Sequence, residues 1–203
     1  MTVGCPGALG PSTPDSAPPP AACEVAFIGD PAASIEVLPG VPDMGTFVEL
    51  HDGDALPLVT PPQGGHVSFV GAEARNIDPC RVHIAATLRS PSTMRIVTEE
   101  SRDIAMFPLP SGWAEPNLAD ISSVANVPLC PDYHEESIVD VTYLLQVRLV
   151  DTRGEKFAGE ALRMVIPRCL EDDPYRNALC RCECRGNYTL GSCANPLDAG
   201  DDR

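Results

Sequence analysis

The sequence RVHIAATLR, residues 81–89, decides the fold class of this chain. Every second residue in it is apolar, namely Val82, Ile84, Ala86 and Leu88, and the residues between them are mostly polar. A period of two places one kind of side chain on each face of a β-strand. We therefore expect a strand with one face in a hydrophobic core and the other in solvent.

A second segment further along the chain repeats this pattern and is followed by a turn. Its apolar positions are Val139, Val141, Tyr143, Leu145, Val147 and Leu149. The turn at 151–154 reads DTRG and leads into another segment at 156–166. Because glycine adopts left-handed conformations without steric cost, Gly154 suits the turn of a β-hairpin. The two segments are predicted to form an antiparallel hairpin.

Shorter segments of strand length precede these two. They cover 25–28, 34–38, 46–50 and 56–59, and turn residues separate them. Many short strands of this kind are typical of a β-sandwich. We predict an all-β fold, an immunoglobulin-like or fibronectin-like antiparallel β-sandwich over 23–169, with a jelly roll as the alternative. The stretch 108–131 is predicted to be a long connection, either a crossover loop or a short helical turn near 118–124.

Composition limits the possible partners. The chain has 203 residues, of which 43% are hydrophobic and 5% aromatic, so the core is expected to be largely aliphatic. Its 29 acidic and 14 basic residues give a net charge of −15. Such a surface repels the phosphate backbone of nucleic acids and anionic lipid headgroups. We expect no nucleic-acid partner, and no sequence pattern indicates a cofactor.

The nine cysteines indicate an oxidising compartment, because a reducing one would leave many thiols open to oxidation. Eight of them are predicted to form disulfides: Cys23, Cys80, Cys130, Cys169, Cys180, Cys182, Cys184 and Cys193. The ninth, Cys5, follows Gly4 and precedes a stretch rich in Pro, Ser and Ala, which resembles the cleavage junction and tether of bacterial lipoproteins. Membrane contact is expected only through a lipid on Cys5, and the alternative is an unpaired thiol.

The two ends of the chain are predicted to lie outside the sandwich. Residues 1–22 are rich in proline and poor in large apolar side chains, which predicts a disordered tether. Residues 170–203 form a cysteine-rich tail with a disordered acidic end. Asp173 as N-cap, Pro174 at the first position and Gly186 as stop predict a short helix there, with a strand as the alternative.

The same tail contains the spacing Cys-x-Cys-x-Cys at 180–184. Three thiols so close together can hold zinc, but structural zinc sites usually contain Cys-x2-Cys pairs, which are missing here. Disulfides are therefore favoured over a metal site. Since neighbouring cysteines cannot all pair with one another, at least one is expected to reach the sandwich through Cys80, Cys130 or Cys169.

The segment that contains the acidic turn carries a resemblance. It includes GTFVEL at 45–50, DGDALPLV at 52–59 and PQGGHV at 62–67. Over 45–76 the chain resembles uncharacterised secreted or lipid-anchored bacterial proteins, which pair an acidic turn with a Pro-Gln-Gly-Gly-aromatic-His entry to a β-sandwich. The aromatic residue before His66 is missing in this chain. The resemblance implies export and a β-sandwich, and it implies no particular activity.

Few residues stand out as candidates for a functional site. Trp113, the only tryptophan, lies with Glu115 in a predicted loop, where an exposed aromatic ring can contact a glycan or a protein. The favoured interpretation, however, is that Trp113 packs over the end of a sheet. The four histidines, His51, His66, His83 and His134, follow no metal-binding spacing. The sequence contains none of the common hydrolase, metalloprotease or phosphate-loop motifs.

These features predict a non-catalytic exported protein, present as an outer-membrane lipoprotein, in the periplasm or outside the cell. It would bind a protein or a glycan at the cell envelope, or help to build an envelope assembly, through an exposed apolar or aromatic patch. The alternative is a hydrolase or metal-dependent enzyme assembled from distant loops, with a histidine and two or more carboxylates meeting in one pocket. A third alternative is a metal carrier that uses the thiols of the tail.

Overall fold

The computed structural model describes residues 25–131 and 137–193, and two β-sheets enclose the core. The first sheet contains β1 (Glu36–Asp43), β2 (Thr46–Glu49), β4 (His66–Arg75), β7 (Met106–Pro108), β8 (Ala114–Pro116) and β9 (Ala125–Cys130). The second contains β3 (Asp54–Leu58), β5 (Val82–Arg89), β6 (Ile96–Ile104), β10 (Tyr143–Val150) and β11 (Gly159–Cys169). The one described α-helix, α1 (Pro174–Glu183), follows. This confirms the prediction of an all-β sandwich.

The order of the strands determines which edges are open. In the first sheet the order is β2-β1-β4-β8-β7, and β9 also pairs with β4. In the second sheet it is β3-β11-β10-β5-β6. The chain passes from β2 directly to β3, so an edge strand of one sheet is joined to an edge strand of the other. Strands β1 and β2 therefore belong to the first sheet and β3 to the second, and they do not form a separate layer.

The two strands with the clearest alternation form the centre of the core. Val82, Ile84 and Leu88 of β5 are fully buried, as are Leu145 and its alternating neighbours Val147 and Leu149 of β10. Thr87 was expected on the wet face but is only 4% exposed. Its hydroxyl donates to a Glu99 carboxylate oxygen at 3.0 Å, which explains how a polar side chain is tolerated there.

The predicted hairpin is present, although the second sheet is not wholly antiparallel. Strands β10 and β11 pair antiparallel, and Gly154 in their connection has a φ of +82°. Residues 139 and 141, which were expected to extend β10, lie before it. Strand β3 pairs with β11 in parallel, because the crossover from β2 brings it in alongside β11 in the same direction. The expectation of an antiparallel sandwich is therefore wrong for this one pair.

Prolines do not end the first strand where the sequence suggested. Pro39 and Gly40 follow the predicted segment 34–38 and are residue types that often end a strand, yet β1 continues through them to Asp43. The Leu50 N–H donates to the Pro39 carbonyl at 2.8 Å, but Pro39 has no N–H to return to the Leu50 carbonyl. That carbonyl accepts from Arg163 Nε at 2.8 Å instead. A side chain from the other sheet thus replaces the missing backbone donor.

Two further predictions, a short strand at 25–28 and a long connection at 108–131, are only partly right. The segment 25–28 contributes a single bridge, Ile28 to Ile77, in place of a strand. The stretch 108–131 contains β8 and β9 as well as the expected helical turn, which is a 3-10 helix at Ile121–Ser123. Strand β9 was missed because its apolar residues are interrupted by Pro128, whose carbonyl accepts from the Thr98 hydroxyl on β6.

The short helix predicted in the tail is present. Helix α1 begins after Asp173, whose side chain accepts from the Arg176 N–H at 2.9 Å, and it ends at Glu183, before Gly186. No helix among the described residues is long and apolar enough to span a membrane. The predicted tether at 1–22, with Cys5, and also Cys23, His134 and the acidic end at 194–203, lie outside the described residues.

Candidate functional site

An apolar groove opens where the edges of the two sheets meet. We call it the edge groove; it is lined by Val41, Val48, Leu50, Ala55, Pro57 and Val59 and has a volume of about 420 Å³. The crossover at 50–53 places β2 on one side of the groove and β3 on the other. Val48 remains 44% exposed although its neighbours on β1 are largely buried. The groove is therefore an apolar surface that the chain's own strands leave accessible.

Carboxylates surround this apolar floor. Asp43, Glu49 and Asp54 stand at its margin. Glu49 lies 3.8 Å from an Arg163 nitrogen, and Asp54 accepts from the His51 N–H at 2.7 Å. With a single guanidinium against three carboxylates, the margin of the groove is negative at neutral pH.

The negative surface extends from the groove across the outer face of the first sheet. We call Glu49, Glu73 and Glu115 the acidic face, since the pairing of β2, β1, β4 and β8 directs all three away from the core. Partial burial raises the pKa of the Glu73 carboxyl above its ordinary value, and the nearby charges of Glu115 and Glu49 raise it further. The three carboxylates therefore repel one another in the folded protein.

This repulsion makes a pH-dependent contribution to stability. Because folding raises the pKa of Glu73, its ionised form disfavours the folded state, and that penalty disappears as the pH falls below the ordinary pKa of a carboxyl. We expect Glu73→Gln to raise the free energy of unfolding at pH 7 by about 0.2–1 kcal/mol and to leave it unchanged near about pH 3. Urea denaturation at the two pH values measures this. Glu171→Gln, which removes the same charge before α1, should show no such gain, and an equal gain would contradict the prediction.

Trp113 and Glu115 lie beside the acidic face. Glu115 belongs to β8 and is therefore on a strand, while Trp113 directly precedes that strand. The Trp113 ring is half-buried and stacks with the Arg75 guanidinium, which lies 5.1 Å from the ring centroid. This placement agrees with the favoured interpretation, in which Trp113 packs against the sheet. Glu115 remains a candidate binding residue as a member of the acidic face.

Comparison with known proteins does not assign the chain to a family. No family model, curated protein or solved structure matches the chain. The assignment of function therefore depends on the chain's own residues, and two further clusters of polar side chains are candidates beside the edge groove.

One of these clusters is a polar cleft around His83. It has a volume of about 460 Å³ and is lined by Arg81, His83, Asp103 and Asp151 among others. His83 Nδ1 lies 3.0 Å from a carboxylate oxygen of Asp103, and this hydrogen bond, with the nearby Arg81 charge, lowers the pKa of Asp103. A carboxylate that orients a histidine in this way is a feature of general-base sites.

The surroundings of His83 are nevertheless poor for catalysis. The His83 side chain is about half exposed, so water is not excluded from it. Asp151 is already engaged by Arg153 Nε at 2.9 Å and by the Asp78 N–H at 2.9 Å. The Thr152 hydroxyl donates to Asp78, and no described hydroxyl or thiol hydrogen-bonds to His83 Nε2. The cleft contains an oriented histidine without an activated nucleophile.

The second cluster joins His66 to the cysteine-rich tail. His66 is 1% exposed; its Nε2 lies 2.8 Å from a Glu183 carboxylate oxygen, and its Nδ1 lies 3.1 Å from the Thr60 hydroxyl. A ring nitrogen of His66 and the sulfurs of Cys180 and Cys184 lie within 4.8 Å of one another. Sequence reasoning missed this cluster, because His66 and Glu183 are 117 residues apart and no local motif connects them.

Disulfides occupy the sulfurs of this cluster. Cys130 is bonded to Cys184, Cys169 to Cys180, and Cys182 to Cys193. Cys80 is disulfide-bonded as well. A cysteine sulfur binds zinc as the thiolate, so the sulfurs of Cys180 and Cys184, which are in disulfides, are unsuited to hold it. This pairing confirms the prediction of disulfides in the tail, and two of the bonds link the tail to the sandwich. The disulfides indicate an oxidising, exported environment.

Proposed function

We propose that this chain is a non-catalytic exported protein that binds a partner protein at the cell envelope through the edge groove. The observation that carries this proposal is the groove itself, an accessible apolar surface between two edge strands. Exposed apolar surface at open strand edges favours aggregation, and proteins without a partner for such an edge tend to cover it. An edge left open in a disulfide-bonded domain is best explained by a partner that occupies it.

A protein is favoured over a glycan as the partner. Sugars often stack on exposed aromatic rings, whereas none of the residues that line the edge groove is aromatic and the half-buried Trp113 ring stacks with Arg75. The floor of the groove is aliphatic, which matches apolar side chains better than hydroxyl-rich rings. A glycan remains the alternative partner.

The other two classes of function have less support. A hydrolase would use the His83 cleft, where the oriented histidine is the one observation in its favour. A metal carrier would need free thiols in the tail, whereas Cys169, Cys180, Cys182, Cys184 and Cys193 are all in disulfides. We also propose, from the sequence alone, that Cys5 carries a lipid anchor and that the sandwich is of the immunoglobulin-like or fibronectin-like type.

A photo-crosslinking amino acid at Val48 tests the proposed function. In the cells that produce the protein, we expect this variant to form a specific covalent adduct with an envelope protein, which mass spectrometry identifies. Ile96 is the matched control position, since it is β-branched, 46% exposed and lies on β6 at the far edge of the second sheet. The proposal would be overturned if Val48 gave no adduct, or if Ile96 gave the same adducts.

A further inference from the structure

We infer that the partner contributes an extended segment of alternating basic and aliphatic residues, which adds to the open edge of β2 as a further antiparallel or parallel strand. This inference rests on the proposed function and specifies the chemistry of the partner. Three features of the structure carry it: the backbone of β2, the two different faces of that strand, and the net charge of the surroundings.

The backbone of β2 is available for strand addition. The register pairs Asp43 with Thr46 and Val41 with Val48, and the Leu50 N–H donates to the Pro39 carbonyl. Because hydrogen-bonded pairs alternate along an antiparallel ladder, residues 46, 48 and 50 direct their backbone groups toward β1. Residues 47 and 49 therefore direct theirs toward the open edge, where a new strand can accept and donate hydrogen bonds.

The other strand beside the groove is a poorer template. Strand β3 contains Pro57, which lacks an N–H, whereas β2 reads TFVE and contains no proline. Strand β2 also follows a two-residue turn, Met44-Gly45, in which both residues have positive φ, so its register with β1 is well defined. Addition to β2 is consequently favoured over addition to β3.

The two faces of β2 specify alternate side chains of the incoming strand. On the inner face, Val48 borders the apolar floor of the edge groove. On the outer face, Glu49 lies on the same side of the sheet as Glu73 and Glu115. Partial burial, and then repulsion from the charges of Glu115 and Glu49, raises the pKa of Glu73. A strand with aliphatic residues on one side and Lys or Arg on the other would fill the groove and relieve that repulsion at the same time.

The same charges argue against a second copy of this chain as the occupant. Two copies that met edge to edge would bring two acidic faces together, and each copy has a net charge of −15. Like charges that face each other across an interface are unfavourable. The partner is therefore a different protein whose contacting segment is basic.

Binding of synthetic peptides tests the inference on the intact, oxidised chain. The probe is Lys-Val-Lys-Val-Lys-Val-Lys, and its matched control is Lys-Val-Lys-Pro-Lys-Val-Lys, which has the same charge but cannot complete a ladder. We expect the probe to bind about tenfold or more tightly than the control, since the control loses backbone hydrogen bonds and one apolar contact. Amide chemical shifts in NMR spectra should change mainly at residues 46–50. Equal affinities for the two peptides would show charge attraction alone and overturn the inference.

Two variants locate the binding site. Val48→Lys, a change at an already accessible position, should weaken binding of the probe by about tenfold or more, whereas Ile96→Lys should have little effect. Equal effects of both variants would overturn the inference.

Sedimentation should find a monomer, and a dimer that Val48→Lys dissociates would identify a second copy as the occupant instead. Crosslinking at Val48 without peptide binding would leave the proposed function intact and refute only the strand-addition inference.

Discussion

Replacement of Arg153 by Met is expected to lower the free energy of unfolding by about 3–5 kcal/mol. The Asp151 carboxylate is 0% exposed, and Arg153 Nε lies 2.9 Å from one of its oxygens. Without the guanidinium, the buried carboxylate would keep only the backbone N–H groups of Asp78 and Arg153 as hydrogen-bond donors among the described residues. Chemical denaturation of the wild type and the variant at about pH 7 measures the difference.

Other contacts of Arg153 add to this loss. Its guanidinium donates to the carbonyls of Pro31, Ala33 and Asn76 and stacks between Phe27 and Phe157, with centroid distances of 4.7 and 4.6 Å. One side chain thereby attaches the segment before β1 to the β10–β11 connection.

A matched control separates the buried pair from arginine pairs in general. Arg148 also has a carboxylate partner, Glu155, but that pair is exposed, so Arg148→Met should cost at most about 1 kcal/mol. Adding Asp151→Asn to Arg153→Met should restore part of the loss, because the unpaired charge is then gone. If the two arginine variants were equally stable, the buried ion pair would not be the cause.

Removal of the disulfide between Cys130 and Cys184 is expected to cost about 4 kcal/mol. It joins residues 54 positions apart, so its loss allows the unfolded chain much more freedom, and it attaches the end of α1 to β9. The double variant Cys130→Ala/Cys184→Ala should therefore unfold at a clearly lower denaturant concentration. Its His66 ring signals in NMR spectra should also change, since Glu183 next to Cys184 contacts His66.

The disulfide between Cys182 and Cys193 provides the comparison. It closes only 11 residues, and its cysteines pack in a small cluster with Tyr188, separate from the main core. We expect Cys182→Ala/Cys193→Ala to loosen the end of the tail and to shift the unfolding of the sandwich by less than about 1 kcal/mol. An equal loss of stability in both double variants would contradict the interpretation that the bond to Cys130 connects tail and sandwich.

The sequence predicted β5 and β10, whose apolar residues alternate, and missed β6, whose apolar residues do not. Strands β5 and β10 lie centrally in their sheet with one face in the core, so their period of two was visible. Strand β6 is an edge strand with the sequence IVTEESRDI, and most of its side chains are at least partly exposed. Apolar alternation reports burial, and a strand that buries little does not display it.

The edge groove could not be predicted from a local pattern. Its floor combines β1, β2 and β3, and it exists because the crossover from β2 to β3 joins the edges of two sheets. Glu115 was selected from the sequence for its position next to Trp113, whereas its association with Glu49 and Glu73 depends on strand pairing. The tail illustrates the same limit: the cysteines indicated disulfides, but eight cysteines allow about 105 pairings, and only the folded chain distinguishes among them.

The two disulfides that hold α1 also affect how the protein withstands proteases. The link from β11 to α1 at 170–173 includes the exposed Leu170, which makes it accessible to cleavage. A cut there would not release the C-terminal fragment, because Cys180 remains bonded to Cys169 and Cys184 to Cys130. A nicked molecule would gain only the mass of one water, would stay in one piece with its His66 contact in the presence of extracellular proteases, and would separate into two pieces only after treatment with a thiol.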